Sequence, residues 1–242
     1  MTRVLLTAPL RQERGIFEAN QDSIDRLIIP EGVQLDRYYV VNDCPEIVGD
    51  IRGGYEVVDT GDLYAKTQTT HIWTEENLCK MPLLRNRTIR RALDGGYDYW
   101  WSVDTDLVLD PHTLEALLAA DKDIVSEVFW TQSEAGGWWC NAWMYDQADA
   151  DGRLAQWLSP GIYQVGMTGA LTLVKTDVFR AGVSFDPIPN IRKALWGEDR
   201  WFCIRAAVLG YEMWLDTTCP AEHLFTDAIY QDYVRRKRDD EL

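Results

Sequence analysis

The sequence carries no surplus of basic residues with which to hold a polyanion. Its 242 residues include 39 acidic and 24 basic side chains, which gives a formal net charge of −15 at pH 7. Such a surface repels a phosphate backbone, so non-specific binding of DNA or RNA is disfavoured. The clearest basic run, residues 235–238, is followed at once by Asp239, Asp240 and Glu241, a pattern typical of a solvated terminal segment.

Paired cysteines and long apolar runs are missing as well. The five cysteines are scattered without a CxxC pair, and their odd number favours reduced thiols over a disulfide framework. No stretch approaches the roughly 18 apolar residues that a membrane-spanning helix needs. The first apolar run, residues 4–6, ends at Pro9 and Arg11 before it could form the core of a signal peptide. We therefore expect a cytoplasmic protein without a transmembrane segment.

Strand and helix patterns alternate through the first half of the chain. Residues 4–6 and 38–41 are short β-branched or aromatic runs, and the segment between them has a helical pattern. A near-continuous apolar run at residues 97–103 predicts a strand that is covered on both faces, as in a central parallel sheet. The predicted fold is therefore α/β, with a mainly parallel Rossmann-like sheet flanked by helices.

The second half of the chain has a mixed character. Tryptophan and glycine become frequent, and short strands are predicted at residues 138–145, 162–165 and 169–174. A helix is predicted from about Asp199, and a short strand at residues 211–215 follows it. Hydrophobic residues make up 46% of the chain, and no linker or repeat divides it, so we expect a single domain.

Two aspartates follow the apolar run at residues 97–103. Asp104 and Asp106 are separated by one residue, and because side chains alternate along an extended chain we expect them to share one direction. Ligands of parallel sheets bind beyond the carboxyl ends of the strands. Carboxylates there suit Mg²⁺ or Mn²⁺, whose other ligands are water and substrate phosphate. Aspartates that form turns or cap helices are also common at strand ends, so the pair alone does not establish a metal site.

Further elements follow in a recognisable order. Glu198 and Asp199 stand at the predicted helix start, and His223, one of three histidines, lies beyond the next strand. An apolar first strand with a polar loop, the Asp-x-Asp pair, a Glu-Asp helix start and a lone histidine together resemble the inverting GT-A glycosyltransferases, particularly the family 2 type. The resemblance covers most of the chain, from Val4 to about His223.

This resemblance implies a metal-dependent, hexosyltransferase-like enzyme. It would move a sugar from a nucleoside-diphosphate sugar, a UDP-sugar or a GDP-sugar, to the hydroxyl of an unidentified acceptor, with Mn²⁺ or Mg²⁺ bound. Approximately residues 1–110 would form the nucleotide-sugar-binding half, and residues 111–242 a mixed acceptor-side half of the same domain.

The resemblance also implies roles for the acidic residues. Asp106 would bind the metal directly, and Asp104 would contact the ribose or metal-bound water. His223 would supply another metal ligand, although a hydrogen-bonded histidine beside a proline turn is an equally good interpretation. Asp199 would be the general base that takes the proton of the acceptor hydroxyl, with Glu198 as its neighbour or as an acceptor ligand. An aspartate at a helix start also caps free N–H groups, so this alternative stays open.

A donor site is implied at the ends of the first strands. The loop with Thr7, Pro9 and Arg11 resembles the donor-base loop of these enzymes, and Asp43 after the second strand resembles the acidic site for base or ribose. Arg87 occupies the helix before the aspartates, where related enzymes often place a basic or amide side chain toward the nucleotide. An exposed, salt-bridging helix face is an equally natural interpretation of Arg87.

Acceptor recognition is suggested by the abundance of tryptophan, which accounts for 11 residues. If residues 138–145 are extended, Trp139 and Trp143 share a face that suits a sugar or a nucleobase, whereas Trp138 falls on the face expected in the core. Aromatic strand faces are also common in simple packing. Gly169 lies in a turn of small residues that resembles the one through which an acceptor approaches the donor in related enzymes.

Departures from the family pattern leave alternatives open. Residues 42–44 lack the acidic and small-residue pattern common in family 2, and no QxxRW motif is present, which favours a single transfer over polymer synthesis. Asp104 also fits the nucleophile motif of haloacid-dehalogenase-type phosphatases, although that motif normally stands near the N-terminus. A nucleotidyltransferase would need a glycine-rich basic loop that the first turn lacks. A non-catalytic carbohydrate-binding module that uses the tryptophans is the remaining alternative.

Overall fold

The computed structural model describes residues 1–59, 75–132, 137–144 and 155–240. Its strands are β1 Thr2–Leu10, β2 Val33–Asn42, β3 Gly54–Val58, β4 Tyr99–Ser102, β5 Leu107–Val108, β6 Ile124–Gln132, β7 Trp138–Cys140, β8 Ala142–Trp143, β9 Ile162–Val165, β10 Met167–Thr168, β11 Thr172–Lys175 and β12 Met213–His223. Its α-helices are α1 Arg14–Asp25, α2 Glu75–Asp94, α3 Thr113–Ala119, α4 Thr176–Arg180, α5 Glu198–Val208 and α6 Asp227–Asp240. None of the helices in these ranges is long and apolar enough to cross a bilayer.

One large sheet organises the molecule. Its strand order is β3-β2-β1-β4-β11-β6-β12-β5. Strands β3, β2, β1 and β4 run parallel, β11 is antiparallel to β4 and β6, and β6 and β12 are again parallel to each other. The predicted mainly parallel sheet is therefore confirmed. Because the carboxyl ends of parallel strands lie at the same edge, the segments after β1, β2 and β4 meet there.

Both faces of the central strands are buried. Val4 and Leu6 of β1 pack on the side of α1, while Leu5 packs on the side of α2, and none of the three is more than 1% exposed. In β4, Trp101 packs on the side of α1 and Trp100 on the side of α2. Helices on both faces of a parallel sheet require such continuous apolar runs, which explains why these segments have no polar alternation.

Three predictions about the second half need correction. The strand predicted at residues 138–145 is split into β7 and β8 by Asn141, and residue 145 lies outside the described residues. Trp138, predicted to be in the core, is 56% exposed, because the only pairing of β7 in the described part of the chain is with β6. The short strand predicted at residues 211–215 is the eleven-residue β12, so His223 is the last residue of that strand instead of lying beyond it.

The large sheet takes strands from both sides of residue 110. Strands β1 to β5 precede residue 110, whereas β6, β11 and β12 follow it. The division into a nucleotide-sugar-binding half at residues 1–110 and an acceptor-side half at residues 111–242 stays a prediction.

Candidate functional site

Asp104 lies just beyond β4, with its side chain 32% exposed. Val103 donates its backbone N–H to the carbonyl of Thr7 at 3.0 Å, so the segment after β4 continues beside the end of β1. The chain then turns, and the N–H of Leu107 is donated to the carbonyl of Asp104 at 3.2 Å. Because this segment is a turn, the strand alternation from which a shared direction of Asp104 and Asp106 was predicted does not apply.

Asp106 lies next to His223, where β5 pairs with β12. The Oδ2 atom of Asp106 is 3.4 Å from Nε2 of His223, and the two side chains are 1% and 9% exposed. The other ring nitrogen of His223, Nδ1, is 2.9 Å from the hydroxyl of Thr131 on β6, a contact that orients the ring. The backbone also joins the two segments, since Leu224 donates its N–H to the carbonyl of Asp106 at 2.8 Å.

A carboxylate and an imidazole are donors that suit Mn²⁺, and Mg²⁺ accepts the carboxylate. The residues present therefore fit part of a divalent metal shell. Among the described residues, however, no three His, Cys, Asp or Glu side chains converge as a ready-made metal cage. Substrate phosphate oxygens and water would have to supply the remaining ligands.

Arg85 is the buried cation of this region, and sequence reasoning did not select it. Its Nη1 donates to the hydroxyl of Ser102 at 2.6 Å, its Nη2 donates to Oδ1 of Asp104 at 3.3 Å, and its Nε is 3.9 Å from Oε1 of Glu198. Burial alone would lower the pKa of Arg85, but the carboxylates of Asp104, Asp199 and Glu198 raise it.

Helical spacing could have revealed Arg85. It stands four and seven residues before Ile89 and Ala92, which are buried against the sheet, so Arg85 belongs to the buried face of α2. Arg87 lies on another face, is 46% exposed, and has Nη1 3.4 Å from Oε2 of Glu56 on β3. The structure thus brings Arg85, and not Arg87, into contact with Asp104.

Glu198 and Asp199 form the first turn of α5. The N-cap position is Gly197, with φ of 141°, and glycine has no side chain with which to cap the helix. Asp199 therefore stands in the first turn and not at the N-cap position, and an acid in that turn still favours the free N–H groups of the helix start. Burial and the neighbouring charge of Glu198 raise the pKa of Asp199, while Arg85 opposes the rise.

Gly169 lies against the Asp199 carboxylate. A Cβ atom built on Gly169 would be 3.3 Å from Oδ2 of Asp199 and 3.5 Å from the carbonyl of Asn141, so a larger residue would crowd the acid. Asn141 holds this turn. Its carbonyl accepts the N–H of Gly169 at 2.7 Å, and its Nδ2 donates to the carbonyls of Glu127 and Ala170, both at 2.9 Å. Asn141 is thus a buried structural residue, a role that the strand pattern could not show.

The other residues predicted to contact substrate are spread along the same edge. Thr7 and Pro9 belong to the end of β1, and Arg11 follows it. Asp43 follows β2 with φ of 50°, and its N–H is donated to the carbonyl of Val58 at 3.2 Å. Their roles as donor ligands stay predictions.

The two tryptophans predicted to bind acceptor differ in exposure. Trp139 is 60% exposed on β7, in register with Thr131 of β6. Trp143 is only partly buried, and its indole N–H is donated to Sδ of Met167 at 3.2 Å. Trp139 therefore presents an exposed aromatic side chain directly opposite Thr131, the residue that contacts His223.

Comparison with known proteins identifies the fold. No family model and no characterised protein sequence matches this chain. Crystal structures of S. aureus TarS do match. Residues 1–349 of TarS with UDP-GlcNAc are 14% identical, with a TM-score of 0.54, covering 92% of this chain and 58% of TarS 1–349. The same fragment with UDP is also 14% identical, with a TM-score of 0.55 and coverages of 92% and 60%.

A further TarS structure is 13% identical, with a TM-score of 0.55, and covers 92% of this chain and 36% of its own. This chain thus spans three fifths or less of the TarS chains. At such identities the likeness establishes the fold, a GT-A type sheet flanked by helices. The resemblance to the family 2 type stays a prediction.

Proposed function

We propose that this protein is a metal-dependent glycosyltransferase that moves a sugar from a nucleoside-diphosphate sugar to an acceptor hydroxyl. The observation that supports it best is the buried Arg85, which contacts Asp104 on one side and Glu198 on the other. Asp104 is the acid expected near the diphosphate, and Glu198 with its neighbour Asp199 is expected near the acceptor hydroxyl. Arg85 therefore connects the two expected sites, at the sheet edge where α/β folds bind ligands.

The metal would be held by Asp106 and His223, with Asp104 beside it. When bound, Mn²⁺ or Mg²⁺ would neutralise charge on the departing diphosphate. The protein's own contribution is to fix these ligands: Thr131 orients the His223 ring, and the hydrogen bond from Leu224 ties the Asp106 turn to β12. Buried ligands of this kind lose little conformational freedom when the donor arrives.

Asp199 is proposed as the general base. It would take the proton of the acceptor hydroxyl as that oxygen attacks the anomeric carbon from the face opposite the diphosphate, which inverts the configuration. A raised pKa brings the basicity of the carboxylate closer to that needed at neutral pH. Gly169 leaves space beside Oδ2, and Glu198 would position the acceptor or the base.

The donor would lie across the ends of β1 and β2, with Thr7, Pro9, Arg11 and Asp43 around the base and ribose. Because TarS is seen with UDP-GlcNAc and with UDP, a UDP-sugar is the donor to test first. The exposed face of Trp139 would stack on the acceptor. The location proposed is the cytoplasm, from the odd number and scattered spacing of the five cysteines in the sequence.

A donor panel tests the proposal. The purified protein is incubated with UDP-, GDP-, CDP- and dTDP-sugars, with and without Mn²⁺, and release of the free nucleoside diphosphate is measured with a mixed set of glycan, lipid and small-molecule acceptors. We expect release with one nucleotide class, only when metal is present. Hydrolysis of phosphomonoesters would instead indicate a phosphatase that uses Asp104. Binding of free sugars without any nucleotide would indicate a carbohydrate-binding module, and either result would overturn the proposal.

A further inference from the structure

Arg85 is enclosed by acids that come from two other parts of the chain. Its side chain is 3% exposed, and its partners are Ser102 at the end of β4, Asp104 in the following turn, and Glu198 at the start of α5. A buried guanidinium is stable only when negative charge and hydrogen bonds compensate its lost hydration. Arg85 and these acids therefore depend on one another.

Asp199 lines the same small cavity as Arg85, Ser102 and Gly169, and its charge belongs to this group. The charged or titratable groups that act on it are Glu198 and Arg200 on its own helix, Cys203 one turn on, Arg85 from α2, and Asp104 from the turn after β4. Two of them, Glu198 and Asp104, are acids whose charge disfavours a further negative charge on Asp199. Of the two cations, Arg85 is the buried one, and a charge acts more strongly where water does not screen it.

We propose that Arg85 is a positioning residue for the base: anchored on Ser102 and Asp104, its guanidinium holds Glu198 in place and favours the charged form of the adjacent Asp199. The catalytic part of this inference rests on the proposed function. The electrostatic part concerns the free protein and needs no substrate.

The first test is a carboxyl titration by NMR. Protein labelled with ¹³C at aspartate carboxyl carbons is titrated without donor, acceptor or metal, and the Asp199 signal is assigned by its loss in Asp199→Asn. In Arg85→Met the pKa of Asp199 should rise by about one unit or more, as expected when an opposite charge nearby is removed. Arg90→Met, a change at an exposed arginine on the same helix, should leave the titration unchanged. An unshifted Asp199 signal in folded Arg85→Met protein would overturn the inference.

Arg85→Lys keeps the charge but loses the planar fork, and it covers the case in which Arg85→Met does not fold. Its Asp199 titration should stay close to that of the wild type, whereas an ammonium cannot reproduce the planar fork that contacts Ser102 and Asp104. A large upward shift of the Asp199 titration in Arg85→Lys would contradict a role through charge.

Kinetics supply the second readout. With the donor identified by the panel, kcat of Arg85→Met should fall about 100-fold, a loss typical of removing one preorganised charged group. The pH at which its kcat rises, the acidic limb of the pH profile, should move to a higher value. In Arg85→Lys this limb should return to its position in the wild type. If kcat of Arg85→Met fell by the same factor at every pH, with the acidic limb at its wild-type position, the role of Arg85 would be merely structural. Absence of transfer with any donor would refute the proposed function, while the NMR titration would still decide the inference about Arg85.

Discussion

Asp199 and Asp106 are carboxylates at the same edge of the sheet, but their neighbours differ. Asp199 is beside Glu198 and the Gly169 turn, and burial and the charge of Glu198 raise its pKa. Asp106 is buried against the imidazole of His223. Replacement of Asp199 should therefore affect the transfer step, and replacement of Asp106 should affect metal-dependent binding. The two proposed roles can thus be tested separately.

Asp199→Asn should stop transfer and leave donor binding intact. The amide cannot take the proton of the acceptor hydroxyl, and general bases contribute about 100- to 10,000-fold to rates. We expect kcat to fall by that order, while calorimetry shows an unchanged Kd for the nucleotide with Mn²⁺. Transfer at more than a tenth of the wild-type rate would show that another group accepts the proton.

Asp106→Asn should weaken metal-dependent binding of the nucleotide. A neutral amide replaces the carboxylate at the Asp106–His223 pair, so the affinity for UDP with Mn²⁺ should fall about 10-fold or more, whereas metal-free binding stays the same. Calorimetry with and without Mn²⁺ measures both quantities. A variant that keeps full metal-dependent affinity and transfer would exclude Asp106 as a metal ligand.

The pH dependence of transfer should follow the ionisation of Asp199. Its pKa is raised, and only the deprotonated carboxylate can act as a base. The rate should therefore rise with pH through a value well above that of an ordinary aspartate, and this acidic limb should be visible in kcat/KM. A profile that is flat from pH 5 to pH 8 would contradict a role for Asp199 as the base.

At the scale of elements, the turn before β11 controls the space beside the base. Gly169→Ala places a methyl group 3.3 Å from Oδ2 of Asp199, so the carboxylate or the turn must move by a few tenths of an ångström. Because rates depend steeply on such positions, kcat should fall about 10-fold with little change in thermal stability. Gly49→Ala is the matched control, since nothing lies within 4 Å of its added Cβ. An unchanged kcat in Gly169→Ala would show that this turn does not position Asp199.

Strands β6 and β12 contain a buried acid pair away from the proposed reaction. Glu127 and Asp216 stand in register and are 0% and 2% exposed, and the N–H groups of Val128 and Cys219 are donated to Oε1 of Glu127 at 3.2 Å. Burial, followed by the charges of Asp216 and Asp110, raises the pKa of Glu127 to about 9.

This acid pair makes stability depend on pH. The folded protein keeps a proton on Glu127 that the unfolded chain releases near pH 4.5, so its contribution to stability is complete below that pH and is lost as pH rises toward 9. Glu127→Gln imitates the protonated acid. Its free energy of unfolding relative to the wild type should increase between pH 5 and pH 9, by several kcal/mol at the upper end. Denaturant unfolding at several pH values measures this, and a difference that does not change with pH would contradict the buried, protonated state.

At the scale of the whole molecule, one sheet connects the proposed donor and acceptor sides. Strands from both parts of the chain share its hydrogen bonds, so we expect a single cooperative unfolding transition. A ligand at the sheet edge should then shift that transition as a whole. At a donor concentration of about 100 times Kd the stabilisation is about 2.7 kcal/mol, or roughly 5 to 10 °C for a chain of this size. Two separate transitions, with only one moved by donor and Mn²⁺, would show that the two parts unfold independently.

Local patterns were sufficient to predict the elements that hold this site. The run at residues 4–6 predicted β1, and the run at residues 97–103 predicted β4 as a strand covered on both faces. The ligand-binding edge expected from the aspartates after β4 stays a prediction. These features depend on the chemistry and spacing of residues that are close together in the chain, because burial on one or two faces imposes a period that is visible locally.

Which distant side chains meet was decided only by the tertiary structure. Asp106 contacts His223 because β12 pairs with β5, and Arg85 contacts Asp104 and Glu198 because α2 packs on the sheet and also contacts α5. The exposure of Trp138 and the burial of Asn141 likewise follow from where β7 and β8 are placed. Strand order and helix packing arise from long-range contacts that leave no period in the sequence, so the sequence by itself determined the elements and their acids, and the folded chain determined their partners.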